Sequence, residues 1–126
     1  YINWPAVQVS QWALDYLHAA QNSGILPAMD NAQFLTEFNL MGVQRHLKAA
    51  GIFCRLWLRD GKAGYLHDIP RTLSYISEQN FTDSALQQFA QWLSQKILPM
   101  FNAHLYKLDN ANSESAAAIG TTGWLP

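Results

Sequence analysis

Apolar side chains recur every three or four residues along most of this chain, which is the spacing of amphipathic helices. The first such segment follows Pro5, a residue suited to a first helical turn, and ends near Gly24. The second begins at Asp30, where Gln33 three residues later favours a capping box, and ends at about Gly51. These signals predict two helices in the first part of the chain.

Three further helices follow in the second part. A short helix is predicted over about 52–58, a loop over 59–64, and another helix over about 68–78. The last begins at Thr82 or Asp83, extends to about 107, and is expected to kink at Pro99, because proline removes one helical hydrogen bond. No alternating strand pattern longer than a few residues occurs, so the predicted fold class is all-α with about five helices.

Composition divides the chain in two. The 126 residues fit one domain, and the balance of 49% apolar and 13% charged residues excludes a disordered chain. From Leu108 onward asparagine, serine, alanine, threonine and glycine dominate. We therefore predict a helical unit over 1–107 and a flexible tail over 108–126, in which Trp124 and Leu125 could dock back.

The chain lacks the common signatures of catalysis and metal binding. It contains no glycine-rich phosphate loop and no zinc-type spacing of histidine and cysteine, so we predict no catalytic residue, metal ligand or cofactor within it. Its single cysteine, Cys54, excludes an internal disulfide framework. No signal peptide or membrane-spanning stretch is evident, and we expect a cytoplasmic protein.

Charge is unevenly distributed, although the formal net charge is only −1. Six of the eight basic residues lie within 45–71, namely Arg45, Lys48, Arg55, Arg59, Lys62 and Arg71. Only Asp60 and Asp68 oppose them, which leaves this segment at +4 and the rest at −5. The segment could bind phosphate or a sugar carboxylate. It could equally be a set of solvated charges and structural pairs such as Arg71 with Asp68.

The second helix carries apolar side chains on two opposite sides. One stripe contains Phe34, Phe38, Met41, Arg45 and Lys48, and the other contains Leu40, Val43, Leu47 and Ala50. Such a helix is expected inside a larger structure, with the Arg45 guanidinium partly desolvated. Arg45 would then need a ligand or an internal carboxylate such as Glu37 or Asp15, and both alternatives remain open.

The segment 38–56 resembles the aminoglycoside phosphotransferase family, in particular its branch of cell-wall amino-sugar (N-acetylmuramate/N-acetylglucosamine) anomeric kinases. The similarity continues through 59–62, 65–66 and 68–71, and more diffusely over 1–107. This resemblance implies a protein-kinase-like fold and transfer of a phosphoryl group from ATP, with Mg²⁺, to an amino sugar in peptidoglycan recycling.

The catalytic loop of that family, His-x-Asp-x-x-x-x-Asn, does not occur in this chain. The resemblance therefore implies a C-terminal helical portion of a kinase, inactive alone, whose ATP and Mg²⁺ belong to the parent protein. Gln44, Arg45 and Lys48 become candidates for lining the sugar pocket, and Arg55 a weaker candidate that could serve only the fold. The implied partners are the missing N-terminal part of the kinase and a small-molecule sugar.

Two other classes of function compete with this interpretation. The chain could be a stand-alone helical module for protein interaction, in which case no catalytic loop is needed. It could also bind RNA, since 61–64 has the Gly-x-x-Gly spacing of a KH loop, but that fold needs strands and the predicted partners include no nucleic acid and no membrane. If the chain is a kinase portion, its exposed apolar face should cause self-association.

Overall fold

The structure, a computed structural model, describes the backbone of residues 3–122 and the side chains of residues 3–115. It contains five α-helices, which are α1 (Ala6–Asn22), α2 (Asn31–Asp60), α3 (Asp68–Ser77), α4 (Ser84–Trp92) and α5 (Leu98–Thr122). A 3₁₀ turn at Ala63–Tyr65 precedes α3, and a π-helical segment at Leu93–Ile97 joins α4 to α5. Over 3–122 there is no strand, which confirms the all-α class and removes the basis for a KH fold.

Helix α2 is a single helix, whereas the sequence predicted two separate helices over the same residues. Gly51 does not end the helix, and α2 continues for 30 residues to Asp60. A glycine inside a helix costs only about 1 kcal/mol relative to alanine. Burial of Ala50, with Phe53 and Trp57 packed against the same cluster, offsets that cost. The helix ends instead at Gly61, whose φ of 66° is the left-handed conformation that glycine adopts readily.

Two aspartates precede helices, and only one acts as a side-chain cap. Asp83 Oδ1 accepts a hydrogen bond of 3.0 Å from the Leu86 amide at the start of α4. Asp30 has the N-cap position of α2 but makes no such bond. Gln33 donates to Glu37 at 3.2 Å instead of completing the expected capping box. The predicted helix starts are therefore confirmed, whereas the capping box is wrong.

Pro99 is accommodated by a change of helix type. It has no N–H for the Gln95 carbonyl, and in a regular α-helix its ring would clash there. Just before it the helix widens, and the Leu98 amide donates to Leu93 five residues back. Such π-segments are one of the few local causes of helix bending, so the prediction of an irregularity at Pro99 has a clear structural counterpart.

The core forms two clusters, and α3 contributes side chains to both. One contains Val43, Ile76, Phe81, Leu86, Ala90 and Leu93, and the other contains Ala50, Leu66, Ile69, Leu73 and Leu105. Ile69 and Ile76 are only 2% and 1% exposed. Helix α2 supplies Val43 and Ala50 from one face, and its enclosure within a larger structure stays a prediction.

Helix α5 extends past the predicted boundary at Leu108. The Asp109 carboxylate lies 3.4 Å from His67 Nε2, next to the start of α3. Flexibility of 108–126 stays a prediction, and Trp124 and Leu125 lie outside the described residues.

None of the described helices is long and apolar enough to cross a membrane.

Candidate functional site

The four predicted site residues share the outward face of α2. At 100° per residue, Gln44, Arg45, Lys48 and Arg55 fall within an arc of about 100°. This arc lies opposite the face that buries Val43 and Ala50, and all four side chains are exposed. A rise of 1.5 Å per residue spreads them over about 17 Å of helix. The helix therefore presents them together, although none is enclosed by this chain.

Arg45 does not have the environment that the sequence suggested. Its side chain is exposed, not partly desolvated, because α2 turns this face away from the core. Among residues 3–115 no carboxylate lies within ion-pair distance of Arg45, so the expected internal partners Glu37 and Asp15 do not bind it. Of the two alternatives, the internal ion pair is therefore wrong in this chain.

Two other arginines of the basic segment do have carboxylate partners. Arg59 Nε donates to Asp60 at 2.8 Å, and Arg71 Nη2 donates to Asp68 at 2.6 Å. The second pair confirms the structural alternative stated above, but it also shows that Asp68 binds Arg71 and does not cap α3. In the part of the chain with described side chains, the basic groups of Arg45, Lys48 and Arg55 are left without such partners.

A cavity of about 290 Å³ opens beside this face, and we call it the Gly42 cleft. It lies between the N-terminal segment, α2 and the C-terminal half of α3. Its lining consists of Asn3, Trp4, Val9, Phe38, Asn39, Gly42, Val43, His46, Tyr75, Ile76, Gln79 and Phe81. None of the four predicted residues lines it. Gln44 lines a separate, shallow apolar depression with Leu40, Met41 and Leu47.

His46 is the titratable group of the α2 wall of the cleft. Its ring is half-buried, with its centroid 5.3 Å from that of Tyr75. Burial, together with the positive charge of neighbouring Arg45, lowers the pKa of His46 below its usual 6.5. The imidazole is therefore neutral at pH 7. Arg45 immediately precedes this lining residue in the chain.

The remaining histidines are weaker candidates for a functional site. His104 is exposed, and His18 lies 3.2 Å from the Asn31 amide oxygen. Among the described residues no three His, Cys, Asp or Glu side chains are grouped closely enough to hold a metal ion. The cleft therefore offers aromatic surfaces and neutral hydrogen-bonding groups, a combination suited to binding a small uncharged ring.

Comparison with known proteins finds curated relatives that share one name. The chain is 46% identical over 78 residues to the N-acetylmuramate/N-acetylglucosamine kinase of Pseudomonas putida, a match that covers 62% of this chain and 23% of the relative. It is 42% identical over 76 residues to the protein of the same name from Neisseria meningitidis, covering 60% and 23%. The similarity to the Caulobacter vibrioides protein of that name is 34% over 71 residues, covering 56% and 19%.

The chain thus spans less than a quarter of the length of these relatives. No family model matches the sequence, and no solved structure matches it significantly. Sequence similarity to amino-sugar kinases is established for part of the chain, whereas a kinase-like fold is not.

Proposed function

We propose that this chain is the C-terminal helical portion of an ATP-dependent sugar kinase that acts on N-acetylmuramate, N-acetylglucosamine or closely similar amino sugars. The observation that carries the proposal is the 46% identity over 78 residues to a kinase of that name. The resemblance of 38–71 to the aminoglycoside phosphotransferase family agrees with it. In this proposal the protein is cytoplasmic and its N-terminal part packs against the helices described here.

The role of α2 in this proposal is to contribute to the sugar pocket. Arg45 and Lys48 are exposed and lack carboxylate partners among residues 3–115, so their donors are available to an oxygen-rich ligand. Gln44 adds a neutral amide on the same face. Arg55 lies two to three turns further along, at the edge of reach for one monosaccharide, which suits its supporting role.

ATP and Mg²⁺ belong to the remainder of the protein in this proposal. The described residues do not fit a magnesium site, because no group of three potential ligands is close enough together. Phosphoryl transfer depends on positioning and on charge stabilisation by the metal and its ligands. This chain therefore contributes substrate binding, and by itself it is expected to be inactive.

The test begins with the native polypeptide. An antibody raised against this chain should detect a product much heavier than 14.2 kDa. That full-length protein should transfer phosphate from ATP to the two amino sugars. Arg45→Ala should raise KM for N-acetylmuramate about tenfold or more, since bonds to charged groups contribute roughly 1.5–3 kcal/mol. Arg59→Ala is the matched control, because Arg59 is on the same helix but paired with Asp60.

The second candidate, a stand-alone interaction module, is favoured by apolar side chains left on the surface. Leu58, Met41 and Leu40 on α2 are 81%, 61% and 56% exposed. A native product of 14.2 kDa, without sugar phosphorylation, would support this candidate and overturn the kinase proposal.

A further inference from the structure

Gly42 is one of the residues that line the cleft. It lies in the middle of α2, where a glycine is less stable than an alanine. A Cβ added there would meet no atom within 4 Å, so no close packing within the chain requires glycine at this position. What the missing side chain leaves is space on the α2 wall of a cavity of about 290 Å³.

The walls of the Gly42 cleft fit one monosaccharide. Its volume is at the small end of the range for ligand pockets, which suits a single ring. The lining includes the aromatic side chains of Phe38 and Tyr75, and the C–H face of a pyranose can pack against aromatic surface of this kind. The amides of Asn39 and Gln79 both donate and accept, as hydroxyl and acetamido groups require.

Arg45 lies between the lining residues Gly42 and His46 in the chain, although it does not itself line the cleft. It follows Gly42 by three residues, and side chains at that spacing are neighbours on a helix surface. Its charge acts on His46 in the cleft wall, and its guanidinium has no carboxylate partner among residues 3–115. A ligand held in the cleft would therefore place an acidic substituent within reach of an available fork of donors.

We propose that the Gly42 cleft binds the pyranose ring and acetamido group of an N-acetylated amino sugar, and that Arg45, three residues after Gly42 on α2, binds the carboxylate of N-acetylmuramate. N-acetylglucosamine has no such carboxylate, so Arg45 gives preference to the acidic sugar. This assignment rests on the proposed function for its substrate class, and it adds a binding site and a specificity-determining contact to it.

The test uses calorimetric titration of the full-length protein with N-acetylmuramate and N-acetylglucosamine, without ATP. Gly42→Leu should weaken binding of both sugars at least tenfold, and Gly42→Ala should weaken it less while keeping the helix more stable. Gly64→Leu and Gly64→Ala are the matched controls, since Gly64 also has open space around its Cα but lies outside α2 and does not line the cleft. Both control variants should bind as the unmodified protein does.

A separate pair of variants tests the proposed contact between Arg45 and the carboxylate. Arg45→Gln should weaken N-acetylmuramate about tenfold and leave N-acetylglucosamine unchanged, whereas Arg59→Gln should change neither. Equal losses for both sugars would overturn the carboxylate contact. Equal sugar binding by the Gly42 and Gly64 variants would overturn the cleft assignment. Phosphorylation of the sugars in that case would leave the kinase proposal standing. Binding at the cleft without any phosphorylation would instead refute the kinase proposal alone.

Discussion

Removal of the Asp83 side chain tests how the loop below the Gly42 cleft is held. Asp83 Oδ1 accepts a hydrogen bond from the Leu86 amide at 3.0 Å and so satisfies one unpaired N–H of α4. Truncation of such a cap to alanine costs about 1 kcal/mol. For 126 residues the unfolding entropy scale converts this loss into a fall of roughly 4 °C in Tm. The loop it anchors carries Phe81, which is buried and lines the cleft.

Asp30 supplies the matched control for this prediction. It precedes α2 in the same way, but its side chain makes no cap bond. Asp30→Ala should therefore lose only the interaction of a charge with the helix dipole, a few tenths of a kcal/mol. Asp83→Asn keeps the cap oxygen and should lose equally little. Thermal unfolding followed by circular dichroism measures all three variants, and equal losses for Asp83→Ala and Asp30→Ala would refute the reasoning.

Three further predictions concern the core, a histidine and the surface. Ile76→Ala should cost about 2–5 kcal/mol in denaturant unfolding and exposed Leu58→Ala less than about 0.5, and similar values would contradict the described core. Because the folded-state pKa of His46 is lowered, stability should decline as pH falls through 6.5 toward that lower value. His46→Gln should remove this decline and His104→Gln should not, when midpoints at pH 7.5 and 5.5 are compared. The 126-residue chain alone should self-associate through exposed groups such as Met41, and a monodisperse monomer in light scattering would contradict this.

Most helices were predictable because their signals are local. The three-to-four-residue spacing, the glycine at position 24 and the aspartate before α4 each act over one or two turns. The break at Gly51 was wrong for a non-local reason, since packing of Ala50 and Phe53 against α3 and its preceding turn outweighs one glycine. The π-segment before Pro99 was foreseen only as a kink, because the sequence shows the missing N–H and not how the helix widens.

Only the part of the candidate site on the outward face of α2 could be predicted from the sequence. Helical spacing correctly groups Gln44, Arg45 and Lys48 on one face, but it cannot tell which face meets the core. That choice depends on where α3 packs, and the same packing brings Gln79 next to Asn39 from forty residues away. One local signal was available for the cleft, namely an unexplained glycine in a helical pattern at position 42.

The long helix α2 connects the core of the protein to the candidate site. Its inner face buries Val43 and Ala50 in the two core clusters, so its orientation is fixed along most of its length. A rigid helix holds the side chains on its outer face at constant separations, which is what recognition of a small ligand requires. The cleft lies between these faces, with Gly42 and His46 in its wall and Arg45 between these two residues in the chain. A substitution on the inner face should therefore lower stability and sugar binding together, whereas one at Arg45 should change sugar preference at constant stability.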